Sequence, residues 1–222
     1  MEAKRIFDLL VAGSGLIATA PVLGAIAVLI KKEDGGPVFY RGERVGRYGE
    51  PFKIFKFRTM VVDAEKSGVS STTDADDRIT RAGKMLRKFK LDELAQLINV
   101  VKGDMSLVGP RPEVQRFVEL YTQEERAILD VRPGITDWAS IWNNDEGAVI
   151  ARSGIKDADE AYARIIRPTK IDLQLRYVRT RSMLTDLKLL LRTVRAVLER
   201  HHYVADIAPP PGDDRKEPGI SK

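Results

Sequence analysis

The feature that most constrains this chain is an uncharged apolar segment near its start, LLVAGSGLIATAPVLGAIAVLI, from Leu9 to Ile30. At about 1.5 Å per residue, a helix of this length is about 33 Å long and could cross the hydrocarbon core of a bilayer. Basic residues flank the segment on both sides: Lys4, Arg5, Lys31 and Lys32. Because basic flanks favour the cytoplasmic side, both ends are expected on the same side of the membrane.

Pro21 lies near the middle of this segment, where the chain would have to turn around. Proline lacks a backbone N–H and its ring clashes with the preceding turn, so we expect a kink or a break there, with Thr19 bonding to a freed carbonyl. The prediction is a re-entrant helix-break-helix over residues 1–33, entered through an ion pair between Lys4 and Asp8. The alternatives are a straight signal anchor and a cleaved signal peptide, and the apolar run beyond Pro21 argues against cleavage.

The rest of the chain is predicted to form one cytosolic domain, residues 34–207, followed by a disordered tail, residues 208–222. A chain of 222 residues can bury a sizeable core. Its net charge of +5 does not by itself favour nucleic acid, but the part from Lys31 to Arg58 is strongly basic and should attract an anion. The absence of cysteine excludes disulfides and cysteine-ligated zinc, and it fits a reducing cytoplasm.

Two runs of aromatic and β-branched residues between Val38 and Met60 enclose a glycine-rich centre, which is typical of a β-hairpin with a long basic loop. Lys56 and Arg58 are two positions apart, so their side chains lie on one face of the second strand and suit a phosphate group. A solvated strand face is the alternative for this pair. The predicted fold class is α+β and mostly helical, with this short hairpin beside the membrane segment.

Three helical stretches follow the hairpin. The first, from Arg78 to Val101, is expected to be one long helix that ends at Gly103. Thr122 and Glu125 form a capping box that opens a short helix. The last stretch, 182–200, repeats apolar residues at helical spacing, which predicts a stripe in the core: Met183, Leu187, Leu190, Leu191, Val194 and Leu198.

Asp92 and Glu93 lie inside the predicted helix from Arg78 to Val101. At about 100° per residue, Glu93 falls within the apolar arc of that helix and Asp92 at its edge. An unpaired charge in an apolar arc is costly, so Glu93 is expected to be protonated, ion-paired or bound to a metal. A structural pair with Lys90 is the alternative. Adjacent carboxylates suit Mg²⁺, or one nucleophile beside one metal ligand or base.

Arg111 stands between Pro110 and Pro112, which restrict the backbone and hold the guanidinium at the end of a loop. A guanidinium binds phosphate oxygens through two parallel hydrogen bonds. The alternative is an arginine that caps helix carbonyls. Two weaker patterns, Asp74-Ala-Asp76 and His201-His202, are assigned to a solvated loop and to a cationic helix end.

A series of motifs between residues 4 and 136 occurs in a distinctive order: KRIFD, APVLGAIAVLIK, FKIFKFRTM, DDRITRAGKMLRKFKLDELAQLINVVKGDMSLVGPRPE and VRPGIT. Together they resemble the bacterial monotopic phosphoglycosyl transferases, also called small polyprenyl-phosphate sugar-1-phosphate transferases. Beyond residue 136 the likeness thins to the LTDLKLLLRTV helix.

This resemblance implies a Mg²⁺-dependent enzyme on the cytoplasmic face of the bacterial inner membrane that uses a nucleotide sugar, usually a UDP-sugar, and polyprenyl phosphate. Asp92 would attack the β-phosphate, giving an aspartyl phosphosugar and releasing the nucleoside monophosphate. Glu93 would hold Mg²⁺ with Asp92 or move protons, and Arg111 would neutralise phosphate charge. The other residues expected to bind substrate are Lys56, Arg58 and Arg132.

The implied product is a polyprenyl diphosphate-sugar, made in the first membrane step of glycoconjugate synthesis. The implied partners are the two substrates and membrane lipid, without nucleic acid, and a homodimer is left open. The chain departs from the family where Ser-Pro is usual, since it has Ala20-Pro21. It also departs after VRPGIT, at Asp137-Trp138, and at an expected acidic position that falls on Asp172 or is replaced by Gln174. The first departure removes a side-chain hydroxyl that Thr19 could supply, and the later two bear on sugar recognition.

Two functions of other classes remain as alternatives. The first is a membrane-anchored protein that binds anionic lipid through its basic residues and performs no chemistry. The second is a conventional nucleotide-sugar glycosyltransferase that holds its metal with Asp74 and Asp76. The second would need a Rossmann-like alternation of strands and helices, which the sequence does not show.

Overall fold

A computed structural model describes residues 2–64, 76–143 and 146–199, and these are mostly helical. The helices α1–α9 span Glu2–Asp34, Arg81–Lys88, Gln96–Lys102, Gln115–Val118, Trp138–Trp142, Glu146–Arg152, Ala158–Ala161, Arg167–Thr180 and Met183–Glu199. The strands β1–β6 span Phe39–Tyr40, Glu43–Val45, Pro51–Lys53, Lys56–Phe57, Ser106–Val108 and Gly134–Thr136. The predicted α+β, mostly helical class is confirmed. The predicted tail and His201-His202 lie outside the described residues.

Helix α1 is continuous through Pro21, so the expected break is wrong, and the alternative of a kink at this proline stays a prediction. Proline deprives the Ile17 carbonyl of its usual donor, and Thr19 does not replace that donor: its hydroxyl donates to the Gly15 carbonyl at 2.7 Å. By length and composition, α1 is the one described helix that could cross a membrane. Only 11% of its most apolar window is buried, which is unlike the core helix of a soluble protein.

The start of α1 is tied to the rest of the chain by buried polar contacts. Lys4 Nζ lies 2.5 Å from Asp186 Oδ2 and donates to the Val108 carbonyl at 3.1 Å. Asp8, which is 2% exposed, accepts a hydrogen bond from Ser106 Oγ at 2.8 Å. The predicted pair between Lys4 and Asp8 is therefore wrong, because each side chain bonds to a partner on a distant element.

The end of α1 is tied to the same body. Glu33 Oε1 accepts a hydrogen bond from the Arg81 N–H at 2.8 Å and so caps the start of α2. Asp34 forms a two-pronged ion pair with Arg58, in which Nη1 lies 2.6 Å from Oδ2. Polar side chains thus fasten both ends of α1 to the remainder of the protein, and Ala12, Ile26 and Ile30 pack in its core clusters, while most of its apolar surface stays exposed.

The predicted hairpin is confirmed. Strands β2 and β3 pair antiparallel with Arg44 opposite Phe52, and β1 and β4 form a second antiparallel pair with Phe39 opposite Phe57. The turn is a short 3₁₀ segment, Arg47–Gly49, rather than the long loop that was expected.

The segment that carries the carboxylate pair is not the single long helix that was predicted. Helix α2 ends at Lys88, and Lys90 adopts the left-handed conformation with φ 55°. The chain then forms a 3₁₀ turn, Leu91–Ala95, before α3 begins. As predicted, Gly103 ends the helix, with φ 97°. The left-handed residue redirects the chain, so the helical wheel does not apply across it.

A two-stranded parallel ladder supports the loop that carries Arg111. Strands β5 and β6 pair with Ser106 opposite Gly134, and Gly109 follows at the end of β5. A Cβ on Gly134 would lie 2.0 Å from the Gly109 nitrogen, so only glycine permits this approach. The Gly134 N–H donates to the Pro110 carbonyl at 2.9 Å, which anchors the start of the Pro-Arg-Pro loop.

The main core lies between α3, the β5–β6 ladder, α5, α8 and α9, with buried side chains that include Val100, Met105, Val108, Tyr177 and Leu189. Helix α9 contributes to it in a different way from the prediction. Of the predicted core stripe, Leu190 packs against this core, but Leu187, Leu191 and Val194 are 48%, 64% and 57% exposed. The prediction of a buried stripe is therefore wrong for those three residues. The face of α9 that packs inward carries Asp186, Leu189 and Ala196. The Leu198 side chain lies outside the described residues.

Candidate active site

Glu93 is held between two cations from distant parts of the chain. Lys56 Nζ lies 3.0 Å from Glu93 Oε1, and Arg111 Nη1 lies 3.0 Å from Glu93 Oε2. Arg111 Nη2 also pairs with Oε1, so the guanidinium engages both carboxylate oxygens. Burial raises the pKa of Glu93, but the charges of Arg111 and Lys56 outweigh it and hold that pKa well below the usual range. Glu93 was expected to be protonated, ion-paired or bound to a metal, and it is ion-paired. Its side-chain partners are Lys56 and Arg111 rather than Lys90.

Asp92 is the more buried of the two carboxylates, with 8% exposure, and among the described residues no donor bonds to it. This reverses the prediction, which placed Glu93 inside and Asp92 at the edge. Burial raises the pKa of Asp92; the Lys56 charge opposes that shift and the Glu93 charge adds to it. The two neighbouring carboxylates therefore differ in their bonding. Lys56 and Arg111 neutralise Glu93, whereas the Asp92 oxygens are not engaged by a donor in the described residues and are available to react.

The backbone of Arg111 is held on both sides by buried side chains. Asp137 Oδ2 accepts a hydrogen bond from the Arg111 N–H at 3.3 Å, and Gln174 Nε2 donates to the Arg111 carbonyl at 3.2 Å. Asp137 and Gln174 are both 0% exposed. Asp137 also caps α5 by accepting from the Ser140 N–H at 2.7 Å. Asp137 and Gln174 thus orient the backbone of Arg111.

A buried charged group lies immediately after Arg111. Glu113 pairs with Lys170 of α8, and Lys170 Nζ donates to the Tyr162 hydroxyl at 3.0 Å. Burial alone would raise the pKa of Glu113, but the Lys170 charge and the hydrogen bonds from Lys170 and Tyr162 outweigh burial. The pKa of Glu113 therefore lies below its usual range. No sequence pattern predicted this group, because Glu113, Tyr162 and Lys170 are far apart in the chain. A buried Lys170 on α8, at 7% exposure, is the one signal that a helical wheel could have found.

Two of the predicted substrate-binding cations have structural partners away from this pair. Arg58 is 7% exposed and, besides Asp34, donates to the carbonyls of Pro37 at 2.6 Å and Met60 at 3.1 Å. Arg132 Nε donates to the Gly103 carbonyl at 3.0 Å and so caps the end of α3. Lys56, Asp92, Glu93 and Arg111 come together, whereas Arg58 and Arg132 support the elements around them.

The two carboxylates fit Mg²⁺ only as part of a larger ligand set. Mg²⁺ is usually held by one or two carboxylates together with substrate phosphates and water. In the described part of the chain, no cluster of three or more His, Cys, Asp or Glu side chains could hold a metal. Glu93 already binds two cations, while no side chain or N–H in the described ranges donates to Asp92. Mg²⁺ at Asp92 and Glu93 therefore remains a prediction that needs phosphate oxygens to complete the site.

The Asp74-Ala-Asp76 pattern does not form a comparable site in the described residues. Asp76 receives three hydrogen bonds from the Arg78 side chain, at 2.9 and 3.2 Å from Nε and 2.6 Å from Nη2, and Asp74 lies outside the described residues. The described strands form three two-stranded sheets, without the Rossmann-like alternation that a conventional glycosyltransferase would need.

Residues 1–200 match the family model described as bacterial sugar transferase. The chain belongs to the bacterial sugar transferase family. The likeness proposed from the motifs is therefore confirmed, and the transferase is an enzyme rather than a non-catalytic lipid anchor.

Curated relatives of the transferase are named for transfer to undecaprenyl phosphate and for exopolysaccharide production. The UDP-N-acetylgalactosamine-undecaprenyl-phosphate N-acetylgalactosaminephosphotransferase of Aeromonas hydrophila is 38% identical over 198 residues, which are 88% of this chain and 43% of that protein. The UDP-glucose:undecaprenyl-phosphate glucose-1-phosphate transferase of Caulobacter vibrioides is 37% identical over 198 residues, 88% of this chain and 69% of that protein. The exopolysaccharide production protein ExoY of Sinorhizobium fredii is 36% identical over 217 residues, which cover 90% of this chain and 88% of that protein. The chain thus spans less than half of the Aeromonas relative.

Proposed function

We propose that this protein transfers a sugar-1-phosphate from a nucleotide sugar, most simply a UDP-sugar, to polyprenyl phosphate through a covalent intermediate on Asp92. The observation that carries the proposal is the contrast between Asp92, which is buried and accepts no hydrogen bond from the described residues, and Glu93, which Lys56 and Arg111 neutralise. Membership of the sugar transferase family and the names of the relatives support the substrates.

In the first step an Asp92 carboxylate oxygen attacks the β-phosphorus of the nucleotide sugar. A new bond forms between that oxygen and phosphorus, and the bond from phosphorus to the bridging oxygen breaks. The electron pair leaves with the nucleoside monophosphate, which is UMP for a UDP-sugar. The ordinary weakness of a carboxylate nucleophile is overcome only where charge on the phosphate is neutralised.

In the second step a phosphate oxygen of the polyprenyl phosphate attacks the same phosphorus. The bond between phosphorus and Asp92 breaks, which regenerates the carboxylate and yields a polyprenyl diphosphate-sugar. Because the donor has departed as monophosphate, a soluble and a membrane-bound substrate can use one site in turn. This product would begin glycoconjugate synthesis at the membrane.

Lys56 and Arg111 are the groups best placed to receive phosphate oxygens beside Asp92. Both cations contact Glu93, and Arg111 does so with two nitrogens, the arrangement that also binds a phosphate. Asp137 and Gln174 hold the Arg111 backbone, so its reach is set before substrate arrives. Mg²⁺, bound through Glu93 or Asp92 together with the donor phosphates, would supply further charge neutralisation.

The proposed location is the cytoplasmic face of the bacterial inner membrane, with α1 inserted as a re-entrant segment. Polar side chains fasten both ends of α1 to one body, through Lys4 and Asp8 at the start and Glu33 and Asp34 at the end. A straight crossing would place those ends on opposite sides of the bilayer. Basic residues at both flanks favour the cytoplasmic side for each. The domain boundary at residues 33 and 34 is part of this proposal.

The test separates the two steps by omitting the lipid. The protein is incubated with Mg²⁺ and each of a panel of UDP-sugars, including those of glucose, galactose and N-acetylgalactosamine. One sugar should release at most one equivalent of UMP and add a phosphosugar mass to a peptide that contains Asp92. Polyprenyl phosphate should then remove that mass. Asp92→Asn should abolish both release and adduct. Release of UMP only when lipid is present, with no adduct from any donor, would establish direct transfer instead.

A further inference from the structure

Gln96 is a buried side chain without a bonding partner, and the transfer steps described above do not involve it. It is the first residue of α3 and is 0% exposed. Neither its Nε2 donor nor its Oε1 acceptor bonds to any group in the described ranges of the chain. A buried amide without partners is costly, so its presence in a folded protein needs a physical reason.

The next buried amide on the same helix is fully satisfied. Asn99, which is also 0% exposed, accepts a hydrogen bond from the Phe55 N–H at 2.7 Å. Its Nδ2 donates to the Lys53 carbonyl and to Asp104 Oδ2, each at 3.0 Å. The fold therefore supplies partners for one amide of α3 and leaves the other without them, although the two amides are only one turn apart.

Gln96 lies between this satisfied amide and the active-site carboxylate. The Gln96 N–H donates to the Glu93 carbonyl, three residues back, and in a 3₁₀ turn side chains three residues apart lie one above the other. Glu93 contacts Lys56, whereas Asn99 contacts the backbone of residues 53–55, so Gln96 stands midway along this strand segment. Helical side chains lean toward the start of their helix. The Gln96 amide therefore lies over the turn that carries Glu93.

Glu93 depends on two cations that the proposed transfer draws away from it. Lys56 and Arg111 are its side-chain partners, and they are also the groups assigned to the phosphate oxygens of the donor. A buried carboxylate that loses its partners must acquire other donors. Gln96 Nε2 carries N–H groups without charge. It can satisfy Glu93 without competing with the phosphates for either cation.

On the basis of the transfer proposed above, we infer that Gln96 is a positioning residue. Its amide is a reserve donor that bonds to Glu93 when Lys56 and Arg111 turn to the diphosphate of the nucleotide sugar. Gln96 acts through Glu93 and does not touch the reacting phosphorus. Two other roles would leave different signatures: an amide that is satisfied by a buried water, and an amide that serves Asp92, four residues back.

A double-mutant cycle on UDP binding tests this role. Calorimetry in the presence of a metal chelator measures the UDP affinity of the full-length protein, of Gln96→Met, of Glu93→Gln and of the double variant. Methionine is similar in size to glutamine but has no N–H, so Gln96→Met should weaken UDP binding about tenfold, as expected for one lost hydrogen bond to a charged group. In Glu93→Gln the same substitution should leave the affinity unchanged, because no carboxylate remains to be satisfied.

Gln115→Met is the matched control. Gln115 is an exposed amide that donates to Glu119 at 3.2 Å, and its replacement should leave UDP binding unchanged. Thermal unfolding should show that Gln96→Met is at least as stable as the parent protein, because an apolar side chain replaces a buried amide without partners. A less stable Gln96→Met would show that the amide already has a partner before substrate binds, which would overturn a reserve role.

The cycle separates the three roles. An equal loss of UDP affinity in both backgrounds, or no loss in either, would make the amide merely structural and overturn the proposal. A loss that persists in Glu93→Gln and disappears in Asp92→Asn would assign the amide to Asp92 and overturn it as well. The cycle measures binding without transfer, whereas the proposed function is tested by the adduct on Asp92. Failure of one therefore leaves the other standing.

Discussion

Glu93 and Arg111 stand 18 positions apart in the chain and form a two-pronged ion pair, with Arg111 Nη1 3.0 Å from Glu93 Oε2. Lys56 joins the same carboxylate at 3.0 Å. The pair leaves the neighbouring Asp92 as the one carboxylate of the two that no described donor engages. The predictions below follow from this division between a neutralised and an available carboxylate.

Arg111→Lys should lower the rate of phosphosugar adduct formation at least tenfold while changing thermal stability little. Lysine keeps the charge but cannot place two parallel hydrogen bonds, and one lost bond to a charged group is worth about 1.5–3 kcal/mol. Single-turnover release of UMP in excess donor measures the effect. Arg116→Lys, at an exposed pair with Asp159, is the matched control and should change neither quantity. An unchanged rate for Arg111→Lys would remove this residue from the site.

Glu93→Gln should block turnover yet strengthen the binding of UDP in Mg²⁺-free buffer. Without the carboxylate, Lys56 and Arg111 lose their shared anionic partner. The diphosphate of UDP then no longer has to displace Glu93 from these two cations, so UDP should bind more tightly. Calorimetry with UDP in the presence of a chelator measures the change, and turnover should recover in part at high Mg²⁺. Glu125→Gln, which breaks the ion pair with Arg167, is the control. Weaker UDP binding by Glu93→Gln would contradict the arrangement.

Adduct formation should fall on acidification at a pH above the ordinary range of an aspartate, because burial raises the pKa of Asp92 and the reaction needs its ionised form. The Lys56 charge lowers the pKa of Asp92, so Lys56→Met should raise it. The acidic limb of the curve of adduct-formation rate against pH should then move to still higher pH. A pH series of single-turnover rates tests the direction. Lys102→Met, at an exposed lysine near Asp104, should leave the limb in place. A limb that moves to lower pH in Lys56→Met would rule out this assignment.

Cysteines introduced singly at Ala3 and Lys32 should both resist an impermeant thiol reagent in intact cells and react after permeabilisation. Both positions are exposed, and the ends of α1 that they mark are bound to one body. Reaction of either cysteine from outside would show that α1 crosses the membrane. Pro21→Leu restores a donor for the Ile17 carbonyl and removes the least stable point of the helix. It should therefore make the Lys32 cysteine accessible from outside in a fraction of molecules.

Features that depend on nearby residues were readable from the sequence. The uncharged segment of α1, the hairpin and the end of α3 at Gly103 follow from composition, alternation and turn residues. The capping box is also present: the Thr122 N–H donates to Glu125 Oε2 at 2.9 Å, and the Glu125 N–H to Thr122 Oγ1 at 3.2 Å. The motif that contains Asp92, Glu93 and Arg111 was enough to recognise the family.

Features that depend on which distant groups meet were decided only by the tertiary structure. Lys90 adopts a left-handed conformation that changes the direction of the chain before Asp92 and Glu93. The helical wheel placed these carboxylates wrongly because it assumes one unbroken helix. Arg58 is buried and pairs with Asp34, and the half-buried Arg132 donates to the carbonyl at the end of α3. A guanidinium removed from water must bond to the acceptors that the fold supplies. The apolar periodicity of α9 was real, but periodicity identifies a face and not what covers it. The sequence by itself therefore determined the local elements and the chemical groups, while long-range packing decided which of those groups are paired, buried or left available.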